Sequence, residues 1–262
     1  MDLQLNDKVV IVTGAAAGIG QATASVLTAE GAVVVGVDRD VVESGLGNEG
    51  SAIRADLTDA ASPPRIIEAV LKRYGRIDGL VNNAGGLQLH SGFLGITEAQ
   101  WLETFQLNFH AARRMSQAAL PPLLDGDGGS MVHVASESAR LPSVYNSDYA
   151  AAKLSLLSMS KSLATEFTPR GVRSNIVTPG MTRTPLYERP GGFGDQIAEA
   201  LGTDREGAID QIVTTLRPLL TGRIGQPGDV ARVVAYLISP LSSQVTGAEW
   251  VVDGGALPQN QI

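Results

Sequence analysis

The feature that most constrains the fold is a β-branched run leading directly into a glycine-rich turn. Lys8 to Thr13, KVVIVT, is followed by GAAAGIG and then by the helical pattern QATASVLTAEG. A short, continuously apolar run reads as a strand buried on both faces, which parallel sheets require. Gly14 permits the sharp turn out of that strand, and Gly18 and Gly20 would let a pyrophosphate approach the helix N-terminus. No Gly-Lys-Ser/Thr follows, which excludes a P-loop.

The rest of the chain repeats this alternation. AVVVGVD, residues 32–38, is a second buried strand ending in Asp38, and SAIRADLTD is a third. Residues 62–74 have helical spacing, with Pro63 and Pro64 tolerable in a first turn. IDGLVNNAGG is a fourth strand with its turn. Thr97 is placed to cap a long helix through Trp101, Asn108 and Met115, which Pro121 and Pro122 are expected to end. GGSMVHVAS and GVRSNIVTPG are the fifth and sixth strands, separated by a helix that carries Tyr149. Pro227 opens a further helix, and AEWVVDGG is the seventh strand. Strands alternating with helices throughout predict a Rossmann-like, doubly wound parallel α/β sheet of about seven strands, with helices on both faces. Residues 1–262 read as one domain. The stretch 181–222 reads as irregular, too long for an ordinary connection, and is expected to be a lid or binding loop.

Composition removes several function classes. The net charge is -7 with no basic run, which argues against nucleic acid. With no cysteine, neither disulfides nor thiolate metal sites can form, and three scattered histidines make a poor metal site. The N-terminus has neither a basic region nor an apolar core of a secretory signal, and no apolar run is long enough for a membrane span. The expected location is cytoplasmic.

Tyr149 and Lys153 are four positions apart, which puts both on one helix face. An ammonium beside a phenol would lower its pKa and ready it for proton transfer near neutral pH. Ser136, at the end of the fifth strand, could hold a substrate oxygen against the Tyr149 oxygen. Such a pair alone is a common arrangement on solvated helices; its company along the chain raises it.

That company resembles the short-chain dehydrogenase/reductase family in its single-domain form, across nearly the whole chain. TGAAAGIG stands at 13–20, NNAG at 82–85, Asn108 in the next long helix, then Ser136, Tyr149 and Lys153. Pro179 and Gly180 with Thr182, GRIGQPGDVA at 222–231 and VDGG at 252–255 complete the order. The resemblance implies a nicotinamide-dependent oxidoreductase acting on a small alcohol or ketone. Tyr149 would be its acid/base, and Lys153 would tune Tyr149 and bind the nicotinamide ribose. Ser136 would orient the substrate, and Asn108 would hold a water linking Lys153 to solvent. Cofactor contacts are implied for Gly14, Ala17, Gly18, Ile19, Gly20, Asp38, Arg39, Asp56, Leu57, Asn83, Ala84, Gly85, Tyr149, Lys153, Pro179, Gly180 and Thr182.

Thirteen positions separate Ser136 from Tyr149, which favours Ser136 over Ser138 as the family serine and leaves Ser138 as a substrate-side candidate. After Asn108 the chain reads Phe-His-Ala where the family often has small residues, an expected local repacking. His90 reads as an exposed loop residue, His110 as helix surface and His133 as a strand residue. Asp38 would grip a ribose 2′-OH, and no cation stands at Ala17, so NAD is the expected cofactor; Arg39 is the one feature that could accommodate a phosphate. Apolar residues on more than one face of the Tyr149 helix, with the family habit, predict a homotetramer. The competing functions are a non-catalytic nucleotide-binding sensor or scaffold, and another nucleotide-using enzyme such as a methyltransferase.

Overall fold

A computed structural model describes residues 2–42 and 44–258. Seven strands form one parallel sheet. They are β1 (Val9–Thr13), β2 (Val33–Asp38), β3 (Ser51–Arg54), β4 (Gly79–Asn82), β5 (Gly129–Val134), β6 (Val172–Pro179) and β7 (Glu249–Val252). Their spatial order is β3-β2-β1-β4-β5-β6-β7. The order reverses between β1 and β4, and in such sheets ligands bind at that reversal, beyond the strand carboxyl ends.

Side-chain alternation along the strands divides the core in two. Val10, Val12, Val34, Val81, Val132, Val134 and Val177 face one side, where α1 (Gly18–Ala29) and α9 (Pro227–Ile238) cover them. Val9, Ile11, Val35, Val37, Leu80 and Met131 face the other, under α2 (Ser62–Tyr74) and α4 (Ala111–Asp125). The long α5 (Ser147–Phe167) packs there too, with Leu156 against Ala112, Ala135 and Ile176. Each such aliphatic side chain contributes about 1.5–3 kcal/mol by leaving water. Because both faces are covered, the polar residues that the strands do carry, such as Ser130, His133, Ser174 and Asn175, are buried and hydrogen-bonded.

The helix opened by Thr97 departs from the expectation twice. The capping box is present: Thr97 accepts from the Gln100 amide at 3.3 Å, and the Gln100 side chain accepts from the Thr97 amide at 2.9 Å. However, the helix is not continuous. It runs as α3 (Glu98–Phe105), widens into a π turn over Gln106–His110, and resumes as α4. It also does not stop at Pro121 and Pro122 but continues to Asp125. The prolines cost the helix two hydrogen bonds and crowd the preceding turn, and burial of Ala119, Leu120 and Leu123 against the sheet holds the last turn in place.

The stretch 181–222 is not irregular, as composition had suggested. It contains α6 (Pro185–Glu188), α7 (Phe193–Leu201), α8 (Arg205–Gln211) and a π turn over Ile212–Leu216. These close on a small core of their own, formed by Met181, Tyr187, Ile209, Ile212, Val213, Leu219 and Ile224. Asp204 caps α8 through the Gly207 amide at 2.7 Å, and Gly202 ends α7 in the left-handed region. No helix among the described residues is long and apolar enough to cross a membrane.

Candidate active site

The turn after β1 is a cradle made by backbone. Gly14 (φ 67°) and Gly18 (φ 56°) lie in the left-handed region that glycine tolerates. Gly20 plays a further part. A Cβ there would collide with the Gly14 carbonyl oxygen, so a bare residue at Gly20 is also what lets the turn close on itself. Ala17 begins α1 with no side-chain cap, and no acid stands in the first turn. The first amides of α1 are left for an anion, at the positive end of the helix dipole. Ile19 packs against the core beneath.

Neighbouring strands pin this loop. Thr13 Oγ1 accepts from the amides of Asn83 (3.0 Å) and Ala84 (3.1 Å), and the Asn83 side chain donates to the carbonyls of Thr13 (3.0 Å) and Gly14 (3.2 Å). Asp38 at the end of β2 accepts from the Ala16 amide (3.0 Å) and the Asp40 amide (3.1 Å). Asp56 accepts from the Thr58 hydroxyl (2.7 Å) and amide (2.8 Å), which hold its carboxyl below the usual range, with Arg39 adding to the effect. Leu57 is buried beside it. Gly180 donates to the Val252 carbonyl at 2.9 Å, and the Thr182 hydroxyl donates to the Gly180 carbonyl at 3.0 Å. Pro179 ends β6 directly before them. Thus the residues proposed for a dinucleotide gather along one rim, from Asp38 across the glycine loop to Thr182. An uncapped helix N-terminus, a bare glycine turn and a strand-end carboxylate fit the pyrophosphate and ribose of such a group.

The four candidate catalytic residues come together at β4, β5 and α5. Lys153 is 3% exposed and donates to the Val134 carbonyl at 2.8 Å. Asn108 is 1% exposed, within the π turn, and accepts from the Gly86 amide at 3.0 Å while donating to the Gly86 carbonyl at 2.9 Å. A Cβ on Gly85 would lie 2.8 Å from Asn108 Oδ1 and 3.2 Å from Lys153 Nζ, so a bare backbone is needed between them. π turns occur often at functional sites, and this one swings Asn108 inward. Ser136 follows β5 and accepts from the Ser138 amide at 3.2 Å.

The expected tuning of Tyr149 is corrected. Burial pushes its phenol up to about 12, the Ser136 hydroxyl pulls the other way, and Glu137 adds to the rise. The Lys153 ammonium is turned to the Val134 carbonyl and stands 5.7 Å from the Tyr149 ring centroid. Loss of water around the phenol outweighs a charge at that distance. Lys153 itself is brought down to about 8 by burial.

His90 is also corrected. Its side chain is 3% exposed and contacts Asp148 at 3.2 Å, and Asp148, 1% exposed, also accepts from the Thr104 hydroxyl at 2.7 Å. The loop after β4 folds back on α5, with the His90 amide donating to the Tyr145 carbonyl at 2.9 Å. His133 is buried between Asn82 and Ser174 and lowered to about 4 by that burial. His110, partly buried within the π turn, is lowered by desolvation and by Arg113 and Arg114. The Ser138 hydroxyl accepts from the Asn146 side-chain amide at 3.5 Å.

The sequence points to residues 137–145 and 181–222 as the stretches that build the substrate pocket, which include Glu137 and Arg217, but it does not show that these two side chains pair. They form an ion pair of 2.9 Å between the turn after β5 and the stretch 181–222, with Glu137 5% exposed. Burial pushes the Glu137 carboxyl up to about 7, Arg217 opposes this, and Asp253 adds to it. An acid between two candidate serines was the available signal.

Comparison with known proteins agrees with this geometry. The family model described as Enoyl-(Acyl carrier protein) reductase matches residues 14–256. The chain is 33% identical to the 3-oxoacyl-[acyl-carrier-protein] reductase FabG of Thermotoga maritima, over 97% of this chain and 99% of that one. It is 32% identical to the D-threitol dehydrogenase of Mycolicibacterium smegmatis, over 97% of this chain and 94% of that one. The aldohexose dehydrogenase of Thermoplasma acidophilum superposes with a TM-score of 0.88 at 29% identity, covering 100% of both chains. The seven-stranded sheet, the glycine turn, the buried Asn108–Lys153 pair behind Tyr149 and these full-length matches have one meaning: the chain belongs to the short-chain dehydrogenase/reductase family of oxidoreductases.

Proposed function

We propose that this protein is an NAD(H)-dependent oxidoreductase that interconverts a secondary alcohol and a ketone, with Tyr149 as acid/base. The observation that carries the reading is the convergence of Ser136, Tyr149, Lys153 and Asn108 on the rim that also holds the glycine cradle. A nicotinamide bound there would supply or accept the hydride. The chain's own residues manage the proton and the oxygen. Ser136 donates to the substrate oxygen and holds it toward the phenol. In reduction, the Tyr149 proton passes to the carbonyl oxygen as the carbon gains hydride; in oxidation, Tyr149 first gives its own proton to neutral Lys153 and then, as phenolate, takes the hydroxyl proton. Burial keeps Tyr149 protonated, which is the form reduction starts from. Lys153, at about 8, reaches both protonation states near neutrality and is suited to return the proton. The relatives' names span an acyl-carrier ketone, a polyol and a sugar, and share an alcohol–carbonyl pair.

Electrostatics support NAD. The Asp38 carboxylate, anchored by Ala16, would accept from a ribose 2′-OH and would repel a 2′-phosphate. Arg39 adds only a minor charge effect at Asp56 and remains the one cation near Asp38 that could meet a 2′-phosphate. The expected preference for NAD over NADP is at least about tenfold in kcat/KM, or about 1.4 kcal/mol. Asp38→Ala should shrink it; a wild-type enzyme that prefers NADP sinks the assignment. Residues 181–222 serve as the lid over the substrate. Half-exposed apolar positions on α5, with Leu154 48% exposed, support a homotetramer. Light scattering at micromolar concentration tests this, and a monomer overturns it.

A further inference from the structure

Glu137 directly follows Ser136, and Arg217 reaches it from the end of the π turn at Ile212–Leu216. Their ion pair uses Glu137 Oε1 and Arg217 Nη1. Glu137 Oε2 and Arg217 Nε and Nη2 are buried and have no hydrogen-bond partner. One acceptor and two donors therefore stand idle together. An idle buried polar group has lost its bonds to water and gained none in return, and such groups call for an explanation.

Their position supplies one. Glu137 is near enough to Tyr149 and Tyr187 to raise both phenols, and the Arg217 charge reaches Tyr187. On another side, a Cβ added to Gly180 would lie 3.0 Å from Glu137 Oε2. The idle atoms thus lie between the proposed proton donor, the loop proposed to meet the nicotinamide, and the lid.

Chemistry narrows what could answer them. A hydrocarbon substituent would leave all three idle. A carboxylate or phosphate would suit the two guanidinium N–H groups but would face the Glu137 oxygen and nearby Asp253. An ammonium would suit Glu137 but would face Arg217. A hydroxyl is neutral and both donates and accepts. We propose that the substrate is a polyol or the corresponding ketose, with Glu137 accepting from, and Arg217 donating to, hydroxyls flanking the reacting carbon. This rests on the oxidoreductase reading above. The reaction balances as for any secondary alcohol: the carbinol C–H leaves as hydride to NAD, the O–H proton goes to Tyr149, and no further reactant is needed.

The test compares C4–C6 alditols with secondary alcohols of the same chain length that lack the other hydroxyls. The wild-type enzyme should favour alditols in kcat/KM by more than about 100-fold, beyond what an apolar pocket achieves and toward the roughly 10⁴-fold of sites built to hydrogen-bond a hydroxyl. Glu137→Gln and Arg217→Met should each shrink that ratio by at least about tenfold, mainly through the alditol KM. A pair that merely latched the lid would lower both substrate classes alike. Thermal melts and NADH fluorescence establish that the variants fold; the wild-type ratio stands as a test without them. A wild-type ratio near one, with simple alcohols turned over, overturns the polyol assignment alone. A ratio unchanged in folded variants overturns the role of the pair. No turnover of either class with either cofactor overturns the oxidoreductase reading and this assignment with it.

Discussion

The two sides of the binding rim are held in opposite ways. On the cofactor side, Thr13, Asn83 and Asp38 bond to backbone within β1, β4 and the turn between them. On the proposed substrate side, Glu137 and Arg217 join the turn after β5 to the proposed lid and leave buried polar atoms unanswered. The first side is complete before anything binds. The second is not, and its residues come from segments far apart in sequence. A cofactor shared by a family is suited by a rigid backbone cradle, whereas a particular substrate is recognised by side chains left open for it.

The largest effect expected lies where the two sides meet. Tyr149→Phe removes the titrating oxygen and little else, so kcat should fall by about 10²–10⁴-fold. NADH affinity should stay within about threefold, since the cradle is built elsewhere. A variant with near-normal kcat would falsify the proposed mechanism.

A pair of alanine substitutions sharpens the contrast itself. Gly20→Ala forces a methyl into the Gly14 carbonyl, whereas a Cβ on Gly191 in the lid meets nothing within 4 Å. Overpacking at Gly20 should cost about 1–3 kcal/mol and weaken NADH binding by at least about tenfold. Gly191→Ala, at φ 66°, should cost only the strain of a left-handed alanine, about 1 kcal/mol, and should leave NADH binding within about threefold. Equal losses in the two variants, by thermal melt and fluorescence titration, would show that the lid and the cradle are one rigid unit.

The smallest effect is a pH dependence confined to the substrate side. Glu137 is faced by Arg217, Asp253, Tyr149 and Tyr187, and its folded pKa is raised from 4.5 to about 7. The folded state therefore binds more protons than the unfolded state between those values. The contribution is fully present below about 4.5 and is lost as pH rises through 7. Relative to Glu137→Gln, wild-type stability should decline across that window by about 1 kcal/mol per pH unit. Denaturant melts at several pH values check this; parallel curves for the two proteins would mean that Glu137 is ionised throughout.

The sequence by itself determined the sheet, because fully apolar runs such as VVIVT can only be buried on both faces. It determined the glycine turn, the strand-end Asp38 and the Tyr149–Lys153 spacing, since each depends on a local backbone rule that neighbouring residues state in full. It misjudged the path through Asn108, where a π turn over Gln106–His110 replaces regular helix, and the ordered helices within 181–222. Periodicity cannot report one extra residue in a turn, nor a small core gathered from Tyr187, Ile209 and Ile224. Only the tertiary structure decided the state of the titrating groups. Tyr149 rises rather than falls because burial outweighs an ammonium already bonded to the Val134 carbonyl. His90 is buried rather than exposed because its loop folds onto Asp148. Glu137 meets Arg217 only because the turn after β5 and the stretch 181–222 converge, eighty positions apart in the chain. Desolvation and long-range charge depend on which residues surround a group in space, and no spacing along a chain carries that information.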